Sequence, residues 1–228
     1  MAEDASTVEA ASDPDLRAAD GRVPGRRGRA TRQKLLDETR KMLEATSYRD
    51  LKVVDIARDA GTSPATFYQY FPDVEAAILV LAEDMGREGQ QLAALVREHP
   101  WKGKAGFATS LGLVDGFLDF WETYRSVLRV VELATLEGDQ RFRKIRSSML
   151  NELTKALAEQ VTAFARDDRH PAYGDDPMAT AGVLVAMLAH VAAHRYGFEF
   201  WGIRTDPLRS NMANIVFWTI TAQKPPAS

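Results

Sequence analysis

The most constraining feature of this chain is a run of turn chemistry, Ala60-Gly61-Thr62-Ser63-Pro64, set between two brief helical segments. Upstream, Val53, Ile56, Ala57 and Ala60 fall on one face of a short helix. Gly61 is its natural left-handed stop. Downstream, Ser63 reads as an N-cap and Pro64 as the first-turn proline of a helix running from Pro64 to Tyr70, closed by Pro72. Two short helices joined so tightly make a helix-turn-helix. The turn needs a residue tolerant of positive φ, which Gly61 is. The second helix has a capped start with small residues behind it, Ala65 and Thr66, so a groove can come close. Hydroxyls and backbone N–H groups at such an end can bind phosphates.

The rest of the chain reads as helix. Leu35, Leu36, Thr39, Met42 and Leu43 recur at helical spacing in a first helix beginning near Thr31, which is expected to be its N-cap, and Ser47 to Asp50 is a break. Further helices are expected at 73–98, 104–121, 123–136, 139–167, 176–198 and 206–222, punctuated by Pro100, Gly103, Gly138, the polar stretch 167–177, and Gly202 with Pro207. No strand alternation and no internal repeat appears. The expected fold class is all-α, a three-helix helix-turn-helix unit followed by a six-helix body. The expected organisation is a disordered tail over 1–30 with a basic arm at 22–30, the helix-turn-helix domain over 31–74, and a helical domain over 75–228.

Charge sharpens this division. Residues 1–21 carry one base and six acids, residues 22–72 eleven bases and six acids, and the remainder seventeen bases and twenty acids. A basic segment on an otherwise acidic chain points to a polyanion as partner of that segment, with Arg26, Arg27, Arg29 and Arg32 available to phosphates or a minor groove. The absence of cysteine excludes a disulfide scaffold, a thiolate metal site, an iron–sulfur cluster and a thiol nucleophile. The acidic first residues lack the pattern of a signal peptide. The most apolar run, 178–193, reads as too short to span a membrane. The expectation is a cytoplasmic protein without a membrane partner.

The stretch from Leu51 to Pro72 resembles the DNA-binding signature of TetR-family transcriptional regulators. Ile56-Ala57, Ala60-Gly61, Ser63, Phe67-Tyr68 and Tyr70-Phe71 carry the resemblance at motif level over 31–80; beyond that it is one of architecture only. It implies a regulator, expected to be a repressor, that binds a palindromic double-stranded operator as a homodimer and is released by a small apolar or amphipathic effector. It places Thr66, Tyr68, Gln69 and Tyr70 on the recognition helix, Ser63 and Ala65 at its leading end, and Lys52 near phosphate ahead of the second helix. Phe67 and Phe71 should pack inward against Ile56 and Leu36. One departure stands out. The family usually has a lysine shortly after the Phe-Pro pair, where this chain has Asp73-Val74-Glu75.

For the body, the resemblance implies that Phe107, Phe117, Trp121 and Tyr124 line an effector cavity, although aromatics at such spacing also serve as ordinary core. Asp115, Glu122 and Glu132 are either cavity polar groups or solvated surface. Residues 176–198 are small and apolar nearly all round. With the last helix they resemble the family's two-helix pairing face, through Ala186, Ala189, Ala193, Ile215 and Trp218. His190 and His194 have the spacing of a metal pair, but the one further donor nearby is Glu199, so interface or cavity histidines are expected and no metal. No cofactor is expected. Enzyme motifs are missing, and the acid pairs at 167–168 and 175–176 read as solvated loop. Two other readings stay open, a DNA-binding regulator without a ligand and a helical enzyme keeping a vestigial DNA-binding unit.

Overall fold

The computed structural model describes residues 25–165 and 176–225. The acidic tail, Arg22 of the basic arm, and Asp167, Asp168 and Asp175 lie outside the described residues. Among the described residues every regular element is helical, with no strand. The α-helices are α1 (Arg26–Ala45), α2 (Val53–Asp59), α3 (Pro64–Tyr70), α4 (Val74–Glu98), α5 (Gly103–Thr123), α6 (Arg125–Leu136), α7 (Gln140–Ala165), α8 (Pro177–Phe200) and α9 (Thr205–Thr221), with a single 3₁₀ turn at Tyr48–Asp50 in the expected break.

The start of α1 differs from expectation. It begins at Arg26, so Arg26, Arg27 and Arg29 stand on a helix and not on an irregular arm. Arginine and alanine are strong helix formers. Apolar periodicity gave no sign of this turn because Arg26, Arg27, Arg29 and Ala30 are all exposed. Thr31 is not a cap: its hydroxyl donates back to the Arg27 carbonyl at 3.1 Å inside the helix. Gly25 takes the N-cap position.

The chain divides into two compact units, 1–80 and 81–228, and the division falls within α4. In the first unit α1, α2 and α3 pack on one another. Leu35, Leu36, Leu43, Ile56, Phe67, Phe71 and Ile78 form its core, each no more than 2 % exposed.

In the second unit α7 packs against α6, α8 and α9, and α5 against α8 and α9. Leu113, Phe117, Val131, Phe142, Leu157, Leu188, Val216 and Phe217 are buried there. Trp101 is also buried and donates its indole N–H to the Val96 carbonyl at 2.9 Å. Buried cross-helix polar contacts fix the registers; the Ser110 hydroxyl, for one, donates to the Ala213 carbonyl at 3.1 Å. Asp176 is the N-cap of α8, accepting from the N–H groups of Met178 and Ala179 at 2.9 and 3.1 Å with Pro177 behind it. It is therefore a capping residue where a solvated loop acid was expected.

Helix α8 corrects a second expectation. It continues to Phe200, giving 24 residues with a mean hydropathy of 1.4 over its most apolar window, long and apolar enough to cross a membrane by length and composition. One side is used within the unit, where Ala181, Leu184, Val185, Leu188 and Ala192 are buried. The other side carries exposed Val183, Ala186, His190 and His194. An apolar helix with one side packed and one side open is the composition of a helix that meets a further helix.

Candidate nucleic-acid interface

The turn between α2 and α3 is built as its residues dictate. Gly61 has φ +69°. Its N–H donates to the Arg58 carbonyl at 3.0 Å and that of Thr62 to the Ala57 carbonyl at 2.8 Å. These are the paired bonds of a Schellman stop. Ser63 then opens α3. Its hydroxyl oxygen accepts from the Thr66 N–H at 3.2 Å and lies 3.0 Å from the Thr66 hydroxyl, with Pro64 in the first helical turn.

Helix α3 has two unlike faces. Phe67 is fully buried, with its ring 5.5 Å from that of Phe71. Leu36 and Ile56, the expected partners of these rings, are buried in the same core. The opposite face presents Ser63, Ala65, Tyr68 and Gln69 to solvent, while Thr66 and Tyr70 are half-buried. Tyr68 is 53 % exposed, its ring edge-on to Phe67 at 5.9 Å. Tyr68 is thus a large aromatic left exposed beside a capped helix start.

The bases of the first unit are unevenly placed along its helices. Arg26, Arg27 and Arg29 are exposed in the first turns of α1, where no acid accompanies them. Lys52 is exposed at the N-cap position of α2. Arg58 is tied to Asp55 and Asp59 at 2.9 and 3.0 Å. The hydrogen bond it donates to Asp59 first, then the charges of both acids, hold its guanidinium above its ordinary value. Arg32 departs from the expected set: it is 7 % exposed, and its guanidinium lies over the Phe71 ring at 5.3 Å. That position makes it a packing residue of the core rather than a free phosphate contact. Asp73, one residue ahead of the place where the family resemblance leads one to look for a base, caps α4 by accepting from the Ala76 N–H at 2.7 Å. Asp73 is thus a helix-start signal of local value, and Val74 stands where the base would be.

Two family patterns match this chain. Residues 35–76 match the family described as bacterial regulatory proteins, tetR family, and residues 92–227 match the tetracyclin repressor-like C-terminal domain. The chain belongs to the TetR family. It is a transcriptional regulator with a helix-turn-helix, not an enzyme. An uncharacterized HTH-type transcriptional regulator of Haemophilus influenzae is 26 % identical over 144 residues, covering 63 % of this chain and 69 % of that protein. Among solved structures, the fatty acid degradation regulator FadR from Bacillus halodurans superposes with TM-score 0.62 at 16 % identity, over 86 % of this chain and 97 % of its own. FadR from Bacillus subtilis, solved with stearoyl-CoA, superposes with TM-score 0.58 at 16 % identity, over 82 % and 98 %. At these identities the likeness is one of fold.

In the C-terminal TetR-family domain the four aromatics expected around an effector do not form one cluster. Phe117 and Trp121 stack, with ring centroids 5.9 Å apart and planes at 13°, and both are buried. Tyr124 sits at the α5–α6 junction with its ring 5.0 Å from that of Phe120. Phe107 lies toward the start of α5, edge-on to Phe217 of α9 at 5.7 Å. Ten residues of helix, about 15 Å, separate Phe107 from Phe117. Two of the three carboxylates considered for the cavity are committed elsewhere. Asp115 holds Arg209 of α9. Glu122 accepts from Arg195 at 2.5 Å and from the Tyr196 hydroxyl at 3.0 Å, and Arg195 and Arg125 lie over the Tyr196 ring at 4.9 and 5.0 Å. Glu132 is half-buried on α6. A cleft of about 540 Å³ opens between the end of α7 and the start of α8, lined by Lys155, Glu159, Thr162 and Met178 among others; a second, of about 390 Å³, opens at the α8–α9 turn. The four aromatics line neither.

On α8 and α9, Ala186 is exposed, Ala189 and Ala193 are half-buried, and Ile215 and Trp218 are 44 % and 54 % exposed. Val183, one of the apolar residues of 176–198 and one turn before Ala186, is 70 % exposed on the same side of α8.

Proposed function

We propose that this TetR-family regulator represses transcription as a homodimer whose two α3 helices read the half-sites of a palindromic operator. The observation that carries the reading is the two-faced α3. Phe67 anchors it from within, while Ser63, Ala65, Tyr68 and Gln69, with Thr66 and Tyr70 at the edges, face outward. Gln69 suits the paired donor and acceptor of an adenine edge, Tyr68 a thymine methyl or a phosphate, and the Ser63 cap places backbone N–H groups toward a phosphate. Arg26, Arg27, Arg29 and Lys52 supply charge to the backbone. Pairing runs through Ala186, Ala189, Ala193, Ile215 and Trp218, whose apolar exposure a single chain does not satisfy. A palindrome needs two such reading heads at a fixed spacing.

The released state follows from an effector held in the second unit beside the buried Phe117–Trp121 pair, the part of the expected aromatic set that stays together. The class is apolar or amphipathic; the fold neighbour FadR from Bacillus subtilis holds stearoyl-CoA. Such a ligand switches the protein only if it binds the DNA-competent and released states with different affinity.

The test is retardation of fragments from the chain's own genomic neighbourhood at low salt, followed by titration with long-chain acyl thioesters and other amphiphiles while tryptophan emission is recorded. Binding of one palindrome by two chains, relieved by a ligand that also quenches Trp121, is the expected result. No retardation of any fragment rejects the reading. Retardation that no ligand alters favours the ligand-free regulator.

A further inference from the structure

His190 and His194 stand one turn apart on α8 and are both exposed, with ring centroids 4.4 Å apart and planes at 50°. Among the described residues neither ring forms a hydrogen bond. The one carboxylate close along the helix, Glu199, accepts from the Thr205 hydroxyl at 2.8 Å. The pair continues the exposed stripe that Val183 and Ala186 begin on α8, and α9 carries exposed Ile215 and Trp218.

A face that pairs buries whatever stands on it. Two imidazoles in an apolar seam lose water at four ring nitrogens, and alanines 186, 189 and 193 offer no side-chain donor or acceptor in exchange. A two-fold contact is isologous, so the same patch serves both chains and the residues at the axis meet their own copies. With the axis at the His190–His194 turn, four imidazoles gather in one seam. Four nitrogen donors at about 2.0–2.1 Å make a closed tetrahedral set for Zn²⁺, and imidazole also suits Ni²⁺ and Cu²⁺. One chain supplies two ligands, and no group of three metal-binding side chains occurs among the described residues. The site is therefore incomplete without the second copy.

We propose that His190 and His194 of two copies together hold one divalent transition-metal ion, of the zinc class, across the pairing seam. This rests on α8 and α9 forming the pairing face. The ion closes the orphaned ring nitrogens and ties the two chains, so metal binding and dimer strength are linked.

The experiment uses the full-length chain without an affinity tag, stripped with chelator. Zn²⁺ is titrated by calorimetry, Co²⁺ by its visible absorption, and the dimer dissociation constant is measured by sedimentation with and without Zn²⁺. The expected result is saturation at one ion per two chains, the intense colour of tetrahedral Co²⁺, and a dimer tightened at least tenfold by Zn²⁺. H190A and H194A each lose the ion and the tightening while the metal-free dimer persists. One ion per chain, or binding undiminished in both variants, overturns the shared site. A metal-free dimer that takes up no Zn²⁺ overturns the metal and leaves the pairing reading standing. A chain that is monomeric with and without Zn²⁺ overturns the pairing reading, and the shared site falls with it.

Discussion

Two glycines show how differently one residue type can be required. Gly61 adopts φ +69°, and a Cβ placed there meets nothing within 4 Å. Its role is conformational alone. Gly61→Ala should cost about 1–2 kcal/mol, the strain of an L-residue in the left-handed region, with α2 and α3 still formed. Gly106 is the reverse case. Its φ is ordinary, but an added Cβ would lie 2.1 Å from the Trp101 carbonyl carbon and 2.3 Å from its oxygen. Backbone cannot yield as a flexible side chain does, so Gly106→Ala should destabilise the second unit by about 3 kcal/mol or more. Urea midpoints of the two variants check the order. A milder Gly106→Ala would mean that the Trp101 segment moves freely, against its buried indole bond to Val96.

At the scale of elements, α1 holds a conflict. Three exposed arginines occupy its first turns with no acid among them, and cations are disfavoured at the positive end of a helix by about 0.3–1 kcal/mol each. DNA phosphate would remove that conflict. Replacing Arg26, Arg27 and Arg29 together by Ala should leave the thermal midpoint of the free protein unchanged or slightly raised. Operator affinity should fall, and the salt slope of log K should flatten by about 0.9 for each phosphate that an arginine no longer neutralises. An unchanged slope would remove these residues from the interface. The same turn shows where legibility ended. The bounds of α2 and α3 were readable to within a residue because Gly61, Ser63, Pro64 and Pro72 each impose a local geometry. Arg26 to Ala30 carry no apolar stripe and no cap, so nothing local distinguishes a solvated helical turn from an arm. Arg32 was misplaced for a related reason: its charge is legible in sequence, while the Phe71 ring that covers it is a tertiary fact. Phe117 and Trp121 were legible as an apolar pair one helical turn apart, but a packed aromatic and a ligand-lining one have the same sequence signature.

The whole molecule depends on contacts that differ in their response to solution conditions. Within the second unit Arg97 of α4 holds Glu159 of α7 through two hydrogen bonds, at 2.9 and 3.2 Å. The bond from Arg97 keeps the Glu159 carboxyl below its ordinary value. A depressed carboxylate contributes stability above its unfolded pKa and loses it as pH falls through the folded one. Both side chains are largely exposed, so the contribution is at most about 1 kcal/mol. Arg97→Gln should return the Glu159 titration midpoint to the ordinary range by NMR and remove only a small part of the acid-side stability. The pairing face responds to different changes. Trp218 is 54 % exposed in one chain, so a charge there costs the lone chain little, yet in an apolar seam it would leave an unpaired ion without water. Trp218→Arg should therefore keep the helical circular dichroism and the thermal midpoint of the separate chain, convert a sedimenting dimer to monomer at micromolar concentration, and lower affinity for a two-half-site fragment far more than for a single half-site. Equal losses on both fragments would mean that the damage lies in the reading head and not in the pairing. A surviving dimer would place the seam elsewhere than on α8 and α9.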